Sequence, residues 1–350
     1  MLRKFLLLLE CGVLLAALLV VGAAWQQKKA LDQPLHIEAE YLLQVPPGST
    51  PSGLLNQLQA EGVIDGAFWL RLYWRFNLKG PTLHSGEYRL LPQQTARDML
   101  GLWQRAEVVQ YSLTLVEGWS FRQLRSALAK QEALTQNLAN LNDAEVMTRL
   151  GLAGQHPEGR FFPDTYHYVR GMSDEELLKK ANARLETVLA EEWQQRAEGL
   201  PYNEPYDALI MASMIEKETG VPEERGEIAG VFVRRLRIGM RLQTDPTVIY
   251  GMGERYRGRI TRADLRTPTP YNTYTIDGMP PTPIAMVGRE AIHAALHPQE
   301  GKALYFVAKG DGSHVFSNSL DEHNRAVREY QLKRRADYRS SPAPRAADSQ

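Results

Sequence analysis

Leu209-Ile210-Met211-Ala212-Ser213-Met214-Ile215-Glu216-Lys217-Glu218-Thr219 is the stretch on which the reading of this chain turns. Its apolar residues recur at helical spacing, and Gly220 and Pro222 follow closely enough to end a helix. At about 100° per residue, Met211, Met214 and Ile215 fall on the same side as Glu218, whereas Glu216 points to the other. A carboxyl that continues an apolar stripe loses solvation. This disfavours its charged form and raises its pKa towards the range of a proton donor near neutrality. Glu218 is therefore the candidate general acid. The plainer reading is a first exposed side chain at a helix end, and this stretch alone leaves both open.

Size and charge set the frame around that helix. The chain has 350 residues, 43% hydrophobic and 23% charged, enough to bury two or three modest cores. Its 41 basic and 41 acidic residues cancel and are dispersed, so no one-sided field exists with which to neutralise phosphates, and nucleic acid is not an expected partner. Cys11 is the single cysteine, which excludes an internal disulfide framework and any zinc site built from several thiolates.

The N-terminus reads as an anchor. Arg3 and Lys4 precede Phe5 to Trp25, 21 residues interrupted by one charge, Glu10. At about 1.5 Å rise per residue, such a helix spans roughly the 30 Å of a hydrocarbon core. A signal peptide has a shorter apolar core and a small-residue cleavage site. Gly22-Ala23-Ala24-Trp25 makes a poor site, so the expectation is an uncleaved span with Trp25 at the interface and Arg3 and Lys4 in the cytoplasm. Lys28 and Lys29 weaken that charge asymmetry. Cys11 sits mid-span without the small residue a lipobox places before it, which argues against lipidation. Glu10 reads as a carboxyl able to be protonated or to approach headgroups rather than as a functional intramembrane acid.

After the anchor one template fits three times. Thr50, Thr95 and Ser120 each follow a strand-like run (Tyr41 to Val45, Tyr88 to Leu91, Tyr111 to Val116), and apolar residues stand four and eight positions later. Thr95 with Asp98 and Ser120 with Gln123 have capping-box spacing, while Thr50 precedes Pro51, the residue favoured at a first helical position. Each unit predicts strand, turn and capped helix. Such modules occur in carbohydrate-binding domains, and they serve equally as a spacer or platform.

Residues 134 to 205 are mostly helical and polar, with a long helix predicted from Asp174 to Arg196. The aromatic segment Gly159-Arg160-Phe161-Phe162-Pro163-Asp164-Thr165-Tyr166-His167-Tyr168 reads as a loop or short strand, and such clusters are more often core than sugar cleft. Beyond Glu218, Pro222 to Ile238 predicts a helix that Gly239 ends. Arg241 to Gly251 and Thr267 to Tyr274 supply amides, hydroxyls and phenols suited to sugar hydroxyls and N-acetyl groups. Their Asp-Pro and Thr-Pro steps predict loops, with turn chemistry alone as the bland alternative.

No Gly-rich phosphate loop, nucleophile elbow or zincin motif is present. His293 and His297 share one face of a helix from Arg289 to His297, but His297 stands at the helix end, where a cationic side chain is favoured anyway; no metal or other cofactor is expected. His314 follows the hairpin turn Gly310-Asp311-Gly312, between Ala303 to Ala308 and Ser313 to Ser317, and reads as structural or as part of a cleft rim. A last helix from Leu320 to Arg335 precedes a tail of Ser, Pro, Ala and Arg that predicts disorder.

Four runs together carry a family resemblance: Glu216-Lys217-Glu218-Thr219, Arg235 to Gly251 with its Leu242-Gln243-Thr244-Asp245-Pro246-Thr247-Val248 core, Pro270-Tyr271-Asn272-Thr273-Tyr274, and Ala303 to Ala308. They resemble the endolytic murein transglycosylase family, the YceG or MltG type. The likeness implies an α+β protein with a cytoplasmic N-terminus and transmembrane helix (1–30), a LysM-like strand-helix region (31–135), a mixed α/β catalytic domain with a lysozyme-like helical cleft (136–335) and a disordered tail (336–350). It also implies a single-span inner-membrane protein whose periplasmic domain cuts nascent peptidoglycan glycan strands internally, limiting their length, with peptidoglycan synthases as partners.

Glu218 matches the family's catalytic acid. In the implied reaction it protonates the oxygen of the β-1,4 bond between N-acetylmuramic acid and N-acetylglucosamine, then takes the proton from the muramic acid 6-hydroxyl as that closes onto C1 to form a 1,6-anhydro end. The substrate-binding set expected around it is Thr219, Gln243, Thr244, Asp245, Tyr271, Asn272 and Tyr274. Asp245 discriminates: as a nucleophile or base across the bond it would make the enzyme a hydrolase, a muramidase. The third possibility is a membrane-tethered glycan-binding protein without catalysis.

Overall fold

Hydroxyl caps at Thr50 and Thr95 start two helices of the first unit. The computed structural model describes residues 2–78 and 83–332, and these divide into two units. The first comprises residues up to 112 with the short segments 132–135 and 167–173. It starts with helix α1 (Leu2–Asp32), long and apolar enough to cross a membrane, a property that a signal sequence shares. The residues from Phe5 to Val21 that carry large apolar side chains are exposed, whereas Ala30 and Leu31 at the helix end are buried in the core of this unit.

Strand β1 (Tyr41–Val45) leads to helices α2 (Pro51–Ala60) and α3 (Ala67–Asn77), then to strand β2 (Gly86–Leu90) and helix α4 (Ala96–Gln104). β1 and β2 pair antiparallel with Tyr41 opposite Leu90. Thr50 accepts a hydrogen bond from the Gly53 N–H at 3.1 Å, and Thr95 with Asp98 closes a full capping box, satisfying N–H groups that a helix start leaves without partners. Leu54, Leu55 and Leu58 of α2 meet Leu70 and Trp74 of α3 in the core, and Trp103 packs edge-on to Trp74 at 5.9 Å and Tyr88 at 6.4 Å. The buried Glu87 accepts hydrogen bonds from Tyr111 and from Arg170, which keeps its charge paired.

Strand β3 (Tyr111–Thr114) opens the second unit, which continues through helices α5 (Phe121–Leu128) and α6 (Asp143–Arg149) to strand β4 (Thr165–Tyr168). The division between units falls within both β3 and β4, which pair with each other. Helices α7 (Asp174–Gln194), α8 (Pro205–Glu218) and α9 (Arg225–Arg237) follow, the last preceded by a 3-10 turn at Pro222–Glu224. Helices α10 (Asp245–Met252), α11 (Arg262–Arg266) and α12 (Arg289–Leu296), the hairpin of β5 (Tyr305–Ala308) and β6 (His314–Ser317), and helix α13 (Leu320–Val327) complete it.

α8 is the axis of this unit. Every residue from Ala208 to Ile215 is buried, so the helix is enclosed all round, with α7, α9 and α12 packed on it. Ser213 fits this apolar setting because its hydroxyl donates to the Ile210 carbonyl at 2.7 Å and accepts from the Ile284 N–H at 3.0 Å. Phe161 and Phe162 are core, the first stacked on Phe121 at 5.5 Å, as the commoner reading of that aromatic segment has it.

The arrangement corrects one expectation. All three strand-turn-helix segments form locally with their caps, the third through Ser120 and Gln123. β1 pairs with β2, and α5 belongs to the second unit, because Phe121 and Leu124 bury their apolar face there. Residues 245–252 form α10 where the Asp-Pro step predicts a loop; Pro246 sits in the first helical turn, where no N–H is required. The Thr267 to Tyr274 segment is irregular, apart from turns, as expected. The last helix ends as a π-helical turn at Arg328–Leu332, and its expected extension to Arg335 and the tail 336–350 lie outside the described residues.

Gly230 marks a close crossing in this unit. The segment after α12 lies directly on α9: the Gln299 N–H donates to the Gly226 carbonyl at 2.8 Å, and a Cβ on Gly230 would stand 2.4 Å from the Gln299 carbonyl oxygen. Gly230→Ala should therefore cost about 1–3 kcal/mol, the usual penalty of overpacking against backbone. Chemical denaturation should show this as a lower midpoint at unchanged slope.

Candidate active site

Glu218 is the last residue of α8 and takes its surroundings from three other segments. Some of its surface stays exposed, while its carboxyl group is enclosed by protein atoms. Burial pushes its pKa up to about 7, and the nearby Asp245 charge adds to the rise; a hydrogen bond from the Thr244 hydroxyl and the Arg235 charge oppose it. The Thr244 hydroxyl donates directly to Oε1 of Glu218. Arg235, buried on α9, is fixed by donating to the carbonyls of Leu304 at 2.6 Å and Leu242 at 2.7 Å, with its guanidinium 5.2 Å from the Tyr305 ring centre. Desolvation lowers the pKa of this arginine, the expected direction for a cation without a paired carboxylate.

A knot of threonines places the Thr244 hydroxyl. Thr273 Oγ1 accepts the Thr244 N–H at 3.0 Å and lies 2.9 Å from Thr247 Oγ1, which in turn donates to the Thr244 carbonyl at 2.8 Å. All three threonines are buried. Gln243 just before them has φ of 51°, a left-handed conformation uncommon outside glycine, and its N–H reaches the Thr273 carbonyl at 3.2 Å. Local strain of this kind persists where surrounding contacts over-determine the backbone, as the Thr273 contacts do here.

The sequence-derived set separates into groups. Thr244, Asp245 and Tyr274 gather at Glu218: the Tyr274 hydroxyl donates to Asp245 Oδ1 at 2.7 Å, and burial raises its own pKa. Gln243 is exposed beside them. Asn272 is fully occupied by the fold, its Nδ2 donating to the carbonyls of Asp264, Leu265 and Thr267 and its Oδ1 accepting the Tyr274 N–H at 3.0 Å. Thr219 likewise shapes the chain after α8, donating to Glu224 at 3.2 Å and accepting the Val221 N–H at 2.9 Å.

Tyr271 faces the main cleft of this unit, a space of about 870 Å³ bordered by the N-terminal ends of α5 and α6, residues 154–158, α10 and Ile284. Glu218 is not among its lining side chains; Lys217 and Pro246, neighbours of Glu218 and Asp245 in sequence, are. The cleft therefore lies along α10 rather than along α8, whose sides are closed by other helices. Two lining residues, Glu158 and Tyr250, escape a sequence reading because a His-Pro-Glu-Gly stretch looks like a surface turn and Tyr250 like one more helical aromatic. Burial pushes the pKa of Glu158 up to about 7 as well.

Glu216, on the other side of the helix by angle, is half-buried, accepts the Gly288 N–H at 3.2 Å, and has its pKa raised by burial and by the nearby Glu117. His293 and His297 do share a helix face, with rings stacked at 4.2 Å, and Glu192 of α7 joins them. That carboxylate is held by Arg289 at 2.7 Å and by His293 Nδ1 at 2.9 Å; these residues could hold a cation only by giving up that ion pair. His314 is structural, its backbone N–H and Nδ1 both meeting Glu224, at 2.8 and 2.7 Å.

A half-buried carboxyl with a raised pKa under a hydroxyl, in the unit that holds a large, mainly apolar cleft, is compatible with general acid chemistry on glycosidic bonds. Comparison with known proteins gives the lineage. Residues 43–329 match the model of the YceG-like family. The chain is 31% identical over 340 residues to the endolytic murein transglycosylase of Bacillus subtilis (strain 168), covering 89% of this chain and 91% of that one. It is 26% identical over 354 residues to the endolytic murein transglycosylase of Streptococcus pneumoniae serotype 2, covering 90% of this chain but 63% of the longer relative. A 2.6 Å crystal structure of a yceG-like protein of Listeria monocytogenes superposes with a TM-score of 0.54 at 30% identity, over 83% of this chain and 99% of the other. The chain belongs to the YceG-like family, a family of lytic transglycosylases.

Carbon-13 NMR of labelled glutamate should find the Glu218 carboxyl titrating near 7 in the whole chain. Since the Thr244 hydroxyl favours the charged form, Thr244→Val should move that titration upward by about one unit. Titration near the ordinary 4.5 in both proteins would contradict the burial described.

Proposed function

We propose that this protein is a membrane-anchored endolytic lytic transglycosylase of peptidoglycan. It cleaves the β-1,4 bond between N-acetylmuramic acid and N-acetylglucosamine in nascent strands, leaves 1,6-anhydro ends and terminates strand growth. α1 serves as the anchor in the inner membrane, with the chain that follows it in the periplasm. The strand-helix region 31–135 is the part read as LysM-like, a holder of glycan strands close to their synthases. The relatives named endolytic murein transglycosylases support the substrate. The observation that carries the chemistry is the enclosed Glu218 carboxyl, protonated near neutrality and tied to Thr244.

In the protonated state Glu218 donates to the glycosidic oxygen as the bond to C1 breaks and oxocarbenium character develops. The resulting carboxylate then receives the proton of the muramic acid 6-hydroxyl as that oxygen closes on C1. The proton lost in the first half is regained in the second, so no water enters and no second carboxylate is needed. Thr244 stabilises the charged intermediate form of Glu218 by donating to it, and Arg235 adds a fixed positive charge nearby. Asp245 is assigned an electrostatic part: its charge raises the Glu218 pKa, and its link to Tyr274 holds the wall of the site. Gln243, exposed beside Thr244, and Tyr271 on the cleft are assigned sugar contacts, whereas Asn272 and Thr219 act through the backbone they hold.

Glu218→Gln should lower turnover of uncrosslinked peptidoglycan strands by at least about a thousandfold, the combined weight of losing acid and base roles. Folding and strand binding should be retained. Mass spectrometry of products from the active chain should find ends lighter by one water than a hydrolase would give. Ends carrying that water would make it a muramidase, and undiminished turnover in Glu218→Gln would place the acid elsewhere.

A further inference from the structure

The main cleft contains an aromatic pair, one of whose hydroxyls is tied down. Tyr250 of α10 and Tyr271 meet edge to face, with ring centres 4.8 Å apart and planes inclined by 61°. The Tyr271 hydroxyl shares a 2.8 Å hydrogen bond with Thr282. Glu158 neighbours the Tyr250 phenol, whose pKa is raised by burial and then by the Glu158 charge, and the Glu158 carboxylate accepts from the Phe121 N–H at 2.9 Å. Both rings line the cleft and remain partly exposed, whereas Glu158 is only 4% exposed.

Glu158 is itself clamped. Gly159 has φ of +74°, and a Cβ there would fall 2.5 Å from Pro283, so the loop carrying Glu158 is pressed against the segment that leads to Ile284 on the cleft wall. A buried carboxyl held by a backbone N–H, in a loop pinned in this way, is a fixed point for the phenol beside it. The Tyr271–Thr282 bond at one tip and the edge-to-face contact between the two rings set the ring faces before any ligand arrives, which removes part of the ordering cost that mobile aromatic side chains would incur.

We propose that Tyr250 and Tyr271 form a sugar-binding platform on this cleft, with Glu158 as the positioning residue that aims the Tyr250 ring. Its ligand is a pyranose of the N-acetylated amino-sugar strand, laid with its C–H face on aromatic carbon. The inference rests on the proposed glycan substrate and assigns these residues to strand binding away from the reacting atoms.

The test separates binding from chemistry. Full-length protein carrying Glu218→Gln is titrated in detergent with N-acetylglucosamine tetramer by calorimetry. Tyr250→Ala should weaken binding about tenfold. Tyr250→Phe, which keeps the ring and removes the hydroxyl that neighbours Glu158, and Glu158→Gln should each weaken it about fivefold, and the two together no more than either alone. In the chain with Glu218 intact, Tyr250→Phe should raise KM and leave kcat within about twofold. Unchanged affinity in Tyr250→Ala, additive losses for Glu158→Gln and Tyr250→Phe, or a defect confined to kcat would overturn the proposal. Thermal melting of each variant identifies misfolding of Glu158→Gln, and Tyr250→Phe then decides alone through binding. If wild-type protein bound the tetramer but released no anhydro-ended product from uncrosslinked peptidoglycan strands, the reaction proposed above would fail while the platform stood.

Discussion

The hydrogen bond from Thr244 to Glu218 is the contact on which the rest of the site depends. Burial alone would hold the carboxyl neutral, which suits donation but strands the anion left afterwards. A hydroxyl donor and the Arg235 charge make that anion tolerable, while Asp245 keeps the pKa from falling too far. The balance places the group near 7, where both protonation states are accessible during one turnover. A single carboxyl that must act first as acid and then as base needs this balance.

The fold supplies it by enclosing α8. A helix apolar all round buries every residue from Ala208 to Ile215 and brings its last residue to the edge of the core, where desolvation is strong but one side remains open. The threonine knot then carries α10 to the helix end through Thr244, with Gln243 in a left-handed conformation at the turn. Asn272 and Arg235 reinforce this geometry by binding carbonyls, Asn272 those of three residues near α11. Few of these groups touch solvent, so their work is to hold the reacting groups rather than to contact a ligand.

What was legible in the sequence is what depends on near neighbours. Capping boxes at Thr95 and Ser120, the apolar stripe below Glu218 and the hairpin around Asp311 are set by residues within a few positions, and they form as the spacing predicts. The rest depends on packing. Pro246 carries the same local signal whether it breaks a chain or starts a helix, and only burial of Thr247 and Val248 decides for the helix. Glu216 lies on the polar side by angle but meets the Gly288 N–H, a residue far along the chain. Glu158 gave no signal because nothing local tells that its turn is pressed under Pro283.

The account stands or falls on the protonated form of Glu218 being the active one in the free enzyme. The most direct measurement is the pH dependence of kcat/KM on uncrosslinked glycan strands. Since the acid form must donate, activity should hold below neutrality and fall as pH rises through about 7, with the same limb at every strand length. A fall centred near the ordinary 4.5 of an exposed glutamate, or activity that rises through neutrality, would contradict it.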